Sequence, residues 1–137
     1  MPNEQRRVRE RGMNIVILAC AISAGIHGAL ALEHFEEGLG AGLGFVAATV
    51  VAAALAAVLT YRPTQLALGA AGIVLAGLIA SYVLAVVTGV PVLHPEPERV
   101  DGLALATKAV EAVGLAAAVS LHRPQLSFGF QPKGTSA

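Results

Sequence analysis

The chain has 137 residues, of which 55% are hydrophobic and 13% charged, with a formal net charge of zero and a mean hydropathy of +0.70. Soluble domains carry roughly 45–50% apolar and 25% charged residues, so this composition excludes an ordinary water-soluble domain, and the charges form neither a nucleic-acid-binding patch nor an acidic tail. Cys20 is the single cysteine, which excludes an intramolecular disulfide and a cysteine zinc cluster.

Residues 1–12 form a basic segment containing Arg6, Arg7, Arg9 and Arg11. With the apolar run that follows, up to Cys20, they have the outline of a lipoprotein signal. Against that reading, Leu18 is larger than the residue that normally stands two before a lipidated cysteine, and the apolar run continues past Cys20 to Leu32. The expectation is therefore a retained first span, Met13 to Leu32, long enough as a helix to cross a hydrocarbon core of about 30 Å. If that helix continues beyond Leu32, then Cys20, Ser23, His27, His34 and Glu37 share an arc of about 100 degrees.

The second span, Leu39 to Thr60, follows closely, and its start holds Gly38, Gly40, Gly42 and Gly44, small residues at the spacing that lets helix backbones approach. Such pairs also arise by chance in a chain this rich in Ala and Gly, and packing within one bundle is the expected use. Tyr61-Arg62-Pro63-Thr64 reads as a tight polar turn. The third span, Leu66 to Thr88, carries Gly72, Ala76 and Ala80 at small-xxx-small spacing. It ends at Gly89-Val90-Pro91, with Pro95 and Pro97 beyond, a stretch that cannot continue a helix. The fourth span, Gly102 to Leu121, places Asp101, Lys108 and Glu111 within an arc of about 80 degrees. From Arg123 onward, residues 123–137 read as a flexible cytoplasmic tail.

Short connections force neighbouring spans to alternate in direction. The predicted fold class is all-α, a four-transmembrane-helix antiparallel bundle over residues 13–122, with the lipid bilayer as its partner. Basic residues near span ends are retained in the cytoplasm. Arg6, Arg7, Arg9, Arg11, Arg62, Arg123 and Lys133 all fall on one side, whereas Glu33, Glu36, Glu37, Glu96, Glu98 and Asp101 fall on the other with Arg99 alone among bases. Both termini are thus expected in the cytoplasm of a cell whose plasma membrane the chain crosses.

A charge in the hydrocarbon core costs about 2.5–3.5 kcal/mol on insertion scales, so ionisable residues inside the spans carry the functional signal. Those residues are His27, Lys108 and Glu111. Counted from the span midpoints, His27 lies about 6 Å and Lys108 about 5 Å outward of the midplane, with Glu111 close to it. Outward of them stand His34, Glu37 and Asp101, completing a ladder of six candidate ligand- or ion-binding residues. Inward of Glu111 the ladder stops, because Ala112 to Val119 and Ile15 to Ala19 contain nothing that titrates. Lys108 and Glu111 also have a purely structural reading, an i,i+3 ion pair turned into the bundle. His27 and His34, two helical turns apart, are about 10 Å from each other, too far to share a metal unaided. A surface site of His34, Glu37 and His94 is a geometric alternative. No metal or cofactor is specified, and no phosphate loop, nucleophile elbow or HExxH pattern is present.

The arrangement of His27, His34-Phe35 and Glu37, then Gly89-Val90-Pro91, then Thr107-Lys108 with Glu111, resembles a family of small four-helix bacterial integral membrane proteins. The resemblance implies that architecture and a bacterial cell membrane, and no activity. Leu84-Ala85-Val86-Val87 stands here where members of that family carry aromatic and basic residues.

Two functions follow from the residues. The first is a small membrane protein that binds or moves an ion, a proton or a small polar ligand through an outward-facing polar seam between helices one and four. In it His27 is acceptor or ligand, Glu111 the mid-membrane carboxylate and Lys108 its counter-charge. The alternative is a non-catalytic interaction or assembly subunit, working as a homo-oligomer or with a membrane-protein partner, in which the seam only fixes helix pairing. A membrane enzyme ranks third, since no substrate-binding motif accompanies the acid and base groups.

Overall fold

The computed structural model describes residues 2–88 and 100–122. Four helices make up the fold: α1 (Pro2–Glu37), α2 (Leu39–Tyr61), α3 (Gln65–Thr88) and α4 (Gly102–His122). Each is long and apolar enough to cross a membrane. The predicted spans match these helices to within a residue or two, except that α1 runs on at both ends. The basic segment is helical and continuous with the first span, and the helix also reaches past Leu32 to Glu37. Expectations for His94, the Gly89-Val90-Pro91 stretch, Glu96, Glu98, Arg99 and the tail from Arg123 lie outside the described residues.

Helix ends are set by local chemistry. A single residue, Gly38, separates α1 from α2; its N–H donates to the His34 carbonyl (3.1 Å) and its carbonyl accepts from the Gly42 N–H (3.1 Å). With Pro63 next, α2 cannot be extended past Arg62, whose N–H closes the last turn on the Val58 carbonyl at 2.7 Å. Thr64 Oγ1 accepts from the Ala67 N–H (3.1 Å) and Asp101 Oδ1 from the Ala104 N–H (2.7 Å), so these two side chains cap the first turns of α3 and α4.

Contacts between α1 and α4 fall in reverse order along the two chains: Gly12 against Leu121, Ala19 against Gly114, Ser23 against Glu111. The same reversal holds between α1 and α2 (Gly28 with Thr49, Phe35 with Gly42) and between α3 and α4 (Gly69 with His122, Gly72 with Ala118). The bundle is therefore antiparallel throughout. α1 packs most extensively against α2 and next against α4, while α2 and α4 lie across the diagonal without close approach.

Its two halves differ. The half holding the Arg62 turn contains the apolar core of Val16, Cys20, Ala56, Leu59, Ala67, Leu68, Ala71, Leu75 and Ala118. No residue of α3 beyond Leu75 is fully buried, although Leu78 and Tyr82 still meet Lys108 of α4. Large apolar side chains such as Leu18, Leu66, Ile73 and Val87 point outward, an apolar surface compatible with a lipid surrounding.

Small residues set the helix spacing. A Cβ on Gly114 would collide with Ala19 Cβ and come within 3.0 Å of Leu75 Cδ1, and one on Gly42 would run into the Phe35 ring. Of the predicted small-residue positions, Gly42 and Gly72 thus serve contacts inside the bundle, whereas Gly44 faces open space. Gly114→Val should lower stability by about 1–3 kcal/mol through overpacking, and Gly44→Ala should be neutral or slightly stabilising. Thermal unfolding of both variants in detergent checks the contrast.

Candidate functional site

Glu111 is the site's centre. Its side chain is completely buried (0% exposed), and both carboxylate oxygens are engaged. Oε1 accepts from the Ser23 hydroxyl at 2.7 Å, across from α4 to α1. Oε2 accepts from the Lys108 ammonium, also at 2.7 Å, one turn earlier on α4. The i,i+3 spacing puts both charges on one face of the helix, and burial then makes each the condition for the other.

Lys108 reaches further. Its Nζ donates to the Leu78 carbonyl on α3 at 3.2 Å and lies 5.5 Å from the centroid of the Tyr82 ring, a cation–π distance. The ammonium is thus held by a carboxylate, a backbone carbonyl and an aromatic face from two helices.

His27 joins the cluster through Ser23. Its Nδ1 lies 2.8 Å from the Ser23 carbonyl, and because a carbonyl can only accept, Nδ1 carries the proton and Nε2 the lone pair. The same Nδ1 is 3.3 Å from Ser23 Oγ, whose own proton is committed to Glu111, so the hydroxyl accepts a second, longer bond there. His27 makes no hydrogen bond to Lys108 or Glu111 despite the depth match with Lys108. Ser23 stands between.

Two turns along, His34 repeats the tautomer. Its Nδ1–H donates to the Leu30 carbonyl at 2.9 Å, and Nε2 lies 4.0 Å from Glu37 Oε2. Phe45 of α2 links the two imidazoles, its ring centroid 3.6 Å from that of His34 in a stacked arrangement and 5.2 Å from that of His27. Both histidines are about nine-tenths buried, while Glu37 is exposed.

Of the six predicted residues, the structure brings Lys108 and Glu111 into direct contact, connects His27 to them through Ser23, and places His34 with Glu37 at the Gly38 end. Asp101 is exposed, and its carboxylate caps α4. Among the described residues no three of His, Cys, Asp and Glu stand close enough to hold a metal ion. Ser23, Phe45, Tyr82 and the Leu78 carbonyl are members that sequence reasoning did not choose. Ser23 had a usable signal: it lies at the middle of its span, as Glu111 does of its own.

Compared with family models, curated proteins and solved structures, the chain matches none. The motifs that run from His27 to Glu111 therefore assign no family, and what the site does is argued from its own atoms.

Removing one partner of a buried ion pair leaves an uncompensated charge and costs about 3–5 kcal/mol, whereas replacing both by apolar groups of similar volume is often neutral or stabilising. Lys108→Met and Glu111→Leu should each destabilise the bundle, and the double variant should recover most of that loss. A double-mutant cycle by thermal or denaturant unfolding in detergent reads the coupling.

Proposed function

We propose that this chain is a multi-pass protein of a bacterial cell membrane whose Gly38 end forms an outward-facing polar half-site that takes up an ion, a proton or a small polar ligand. The observation that carries the proposal is the position of the buried Ser23–Glu111–Lys108 group. It sits where the apolar core ends, and among the described residues the other buried polar side chains, His27, His34 and Thr107, all lie on the Gly38 side of it. A group needed merely to hold helices together has no reason to continue toward one surface as His27, His34 and Glu37 do.

In this reading Glu111 is the terminal acceptor, Lys108 sets its charge, and His27 is the nearest acceptor still open, because its Nε2 has no partner among the described residues. His34 and Glu37 form the mouth. Asp101 stands at the same end of the bundle, adding negative potential there and at the positive end of the α4 dipole. The apolar Arg62 half closes the other side, so complete transport needs a rearrangement or a second subunit.

The orientation rests on the basic residues. Arg6, Arg7, Arg9, Arg11 and Arg62, with Glu4 and Glu10 among them, stand at one end of the bundle and Glu33, Glu36 and Glu37 at the other, a bias of basic residues that supports cytoplasmic termini. One observation favours the interaction subunit instead: both oxygens of Glu111 are already satisfied within the chain, as a purely structural ion pair requires.

Two measurements test these statements. In a Cys20→Ser background, an impermeant thiol reagent added to intact cells should label Glu36→Cys and spare Thr64→Cys; the opposite pattern inverts the orientation. Any bound ion or small solute other than a proton should appear in mass analysis of protein purified in native detergent and should be lost from the Lys108→Met/Glu111→Leu double variant and from His27→Ala. A stoichiometric second polypeptide, retained by those variants, would instead establish the interaction subunit.

A further inference from the structure

From His27 to Glu111 the side-chain hydrogen bonds run in one direction. His27 Nδ1–H, held chiefly by the Ser23 carbonyl (2.8 Å), is shared with Ser23 Oγ (3.3 Å), and Ser23 Oγ–H donates to Glu111 Oε1 (2.7 Å). A chain in which each donor faces the next acceptor is the arrangement that carries a proton by successive hops, with no heavy atom having to travel. We propose that His27, Ser23 and Glu111 form a proton relay, loaded at His27 Nε2 and ending on the Glu111 carboxylate. This inference rests on the polar half-site described above and names its ligand as the proton.

The donor set selects the proton over larger cations. A metal ion requires several ligand atoms converging on one point, and among the described residues no three His, Cys, Asp or Glu side chains do so. Both Glu111 oxygens are occupied, and the Ser23 hydroxyl is used as donor and acceptor at once. What remains is His27 Nε2, a lone pair on a ring nine-tenths buried, and a proton needs only one such acceptor.

The transfer balances without a co-reactant. A proton from water at the Gly38 end binds Nε2, giving the imidazolium. The Nδ1 proton then moves to Ser23 Oγ as the hydroxyl proton moves to Glu111 Oε1. His27 returns to neutrality as its Nε2–H tautomer, Ser23 remains a hydroxyl, and Glu111 becomes a neutral carboxylic acid. Afterwards Ser23 Oγ–H faces the bare Nδ1 and the Glu111 hydroxyl faces Ser23 Oγ, so the chain is reversed and must turn back before a second proton follows.

The titratable groups facing this chain are Cys20 and His34 on α1, Lys108 and Glu111 on α4 and Tyr82 on α3; α2 contributes Phe45, which has no charge. Loading on Oε1 neutralises Glu111, so Lys108 keeps its hydrogen bond to Oε2, now a carbonyl oxygen, but loses its counter-charge. Proton arrival thereby alters the bond that holds α4's charge in place between α1 and α3.

The test is time-resolved infrared spectroscopy of the full chain in lipid nanodiscs after a drop in pH. A protonated-carboxyl band that disappears in Glu111→Gln should rise in the wild type, more slowly in heavy water. Positioned proton-transfer groups are worth about 10²–10⁴-fold in rate, so Ser23→Ala and His27→Gln should each slow the rise about a hundredfold, while Ser23→Thr, which keeps the hydroxyl, should restore it. Absence of a Glu111-dependent band in the wild type overturns the relay, whether or not the variants fold. So does an unchanged rate in either Ser23→Ala or His27→Gln. If the band is absent while a copurified solute still depends on Lys108 and Glu111, the relay fails and the polar half-site stands.

Discussion

A carboxylate with no exposure to solvent, Glu111, is the constraint from which the rest of this structure follows. In an apolar medium an ionised carboxylate is tolerated only when it is both charge-paired and hydrogen-bonded. Lys108 supplies the charge from the same helix and Ser23 the second hydrogen bond from α1. That second bond fixes the register of α1 against α4, because sliding either helix by a turn would strand one oxygen. Lys108 in turn fixes α4 against α3 through the Leu78 carbonyl and the Tyr82 ring. Three helices are thereby indexed to one side chain.

Close packing makes that indexing possible. Gly114 lies one turn from Glu111 on α4, against Ala19, one turn from Ser23 on α1, so the backbones approach closely enough there for a short serine to reach the carboxylate. Lipid supplies no hydrophobic drive for helix association, and small-residue contacts of this kind are the usual substitute. The division into a dry half around Leu59, Leu68 and Leu75 and a polar half around His27 and His34 confines the buried histidines and the Lys108–Glu111 pair to one side of the bundle and ends them where packing becomes tight.

Much of this was legible in the residues, and the reasons are physical. Four long apolar runs interrupted by Pro63 and by the prolines after Thr88 admit one fold class, since a buried backbone must satisfy its own hydrogen bonds. The pairing of Lys108 with Glu111 follows from helical spacing alone. The contact across helices does not, because depth arithmetic fixes height in the membrane and leaves rotation about each helix axis open. It matched His27 to Lys108 in height, whereas the observed contact is between Ser23 and Glu111, the two residues nearest their span centres. Phe45 and Tyr82 escaped for a related reason: an aromatic residue in an apolar helix has no signature until its neighbours are known. Asp101 shared a helix face with Lys108 and Glu111, yet its position immediately before the first turn made capping the stronger demand.

The account stands on the contact between Ser23, Glu111 and Lys108 existing in a bilayer. Solid-state NMR of the full chain in lipid, measuring the dipolar coupling between Lys108 ¹⁵Nζ and the Glu111 carboxyl carbon together with the cross-peak from that carbon to Ser23 Cβ, addresses it most directly. The account predicts a strong Lys108–Glu111 coupling, a resolved Ser23 cross-peak and a lysine ammonium protected from hydrogen exchange. A freely exchanging ammonium with neither coupling nor cross-peak would contradict it.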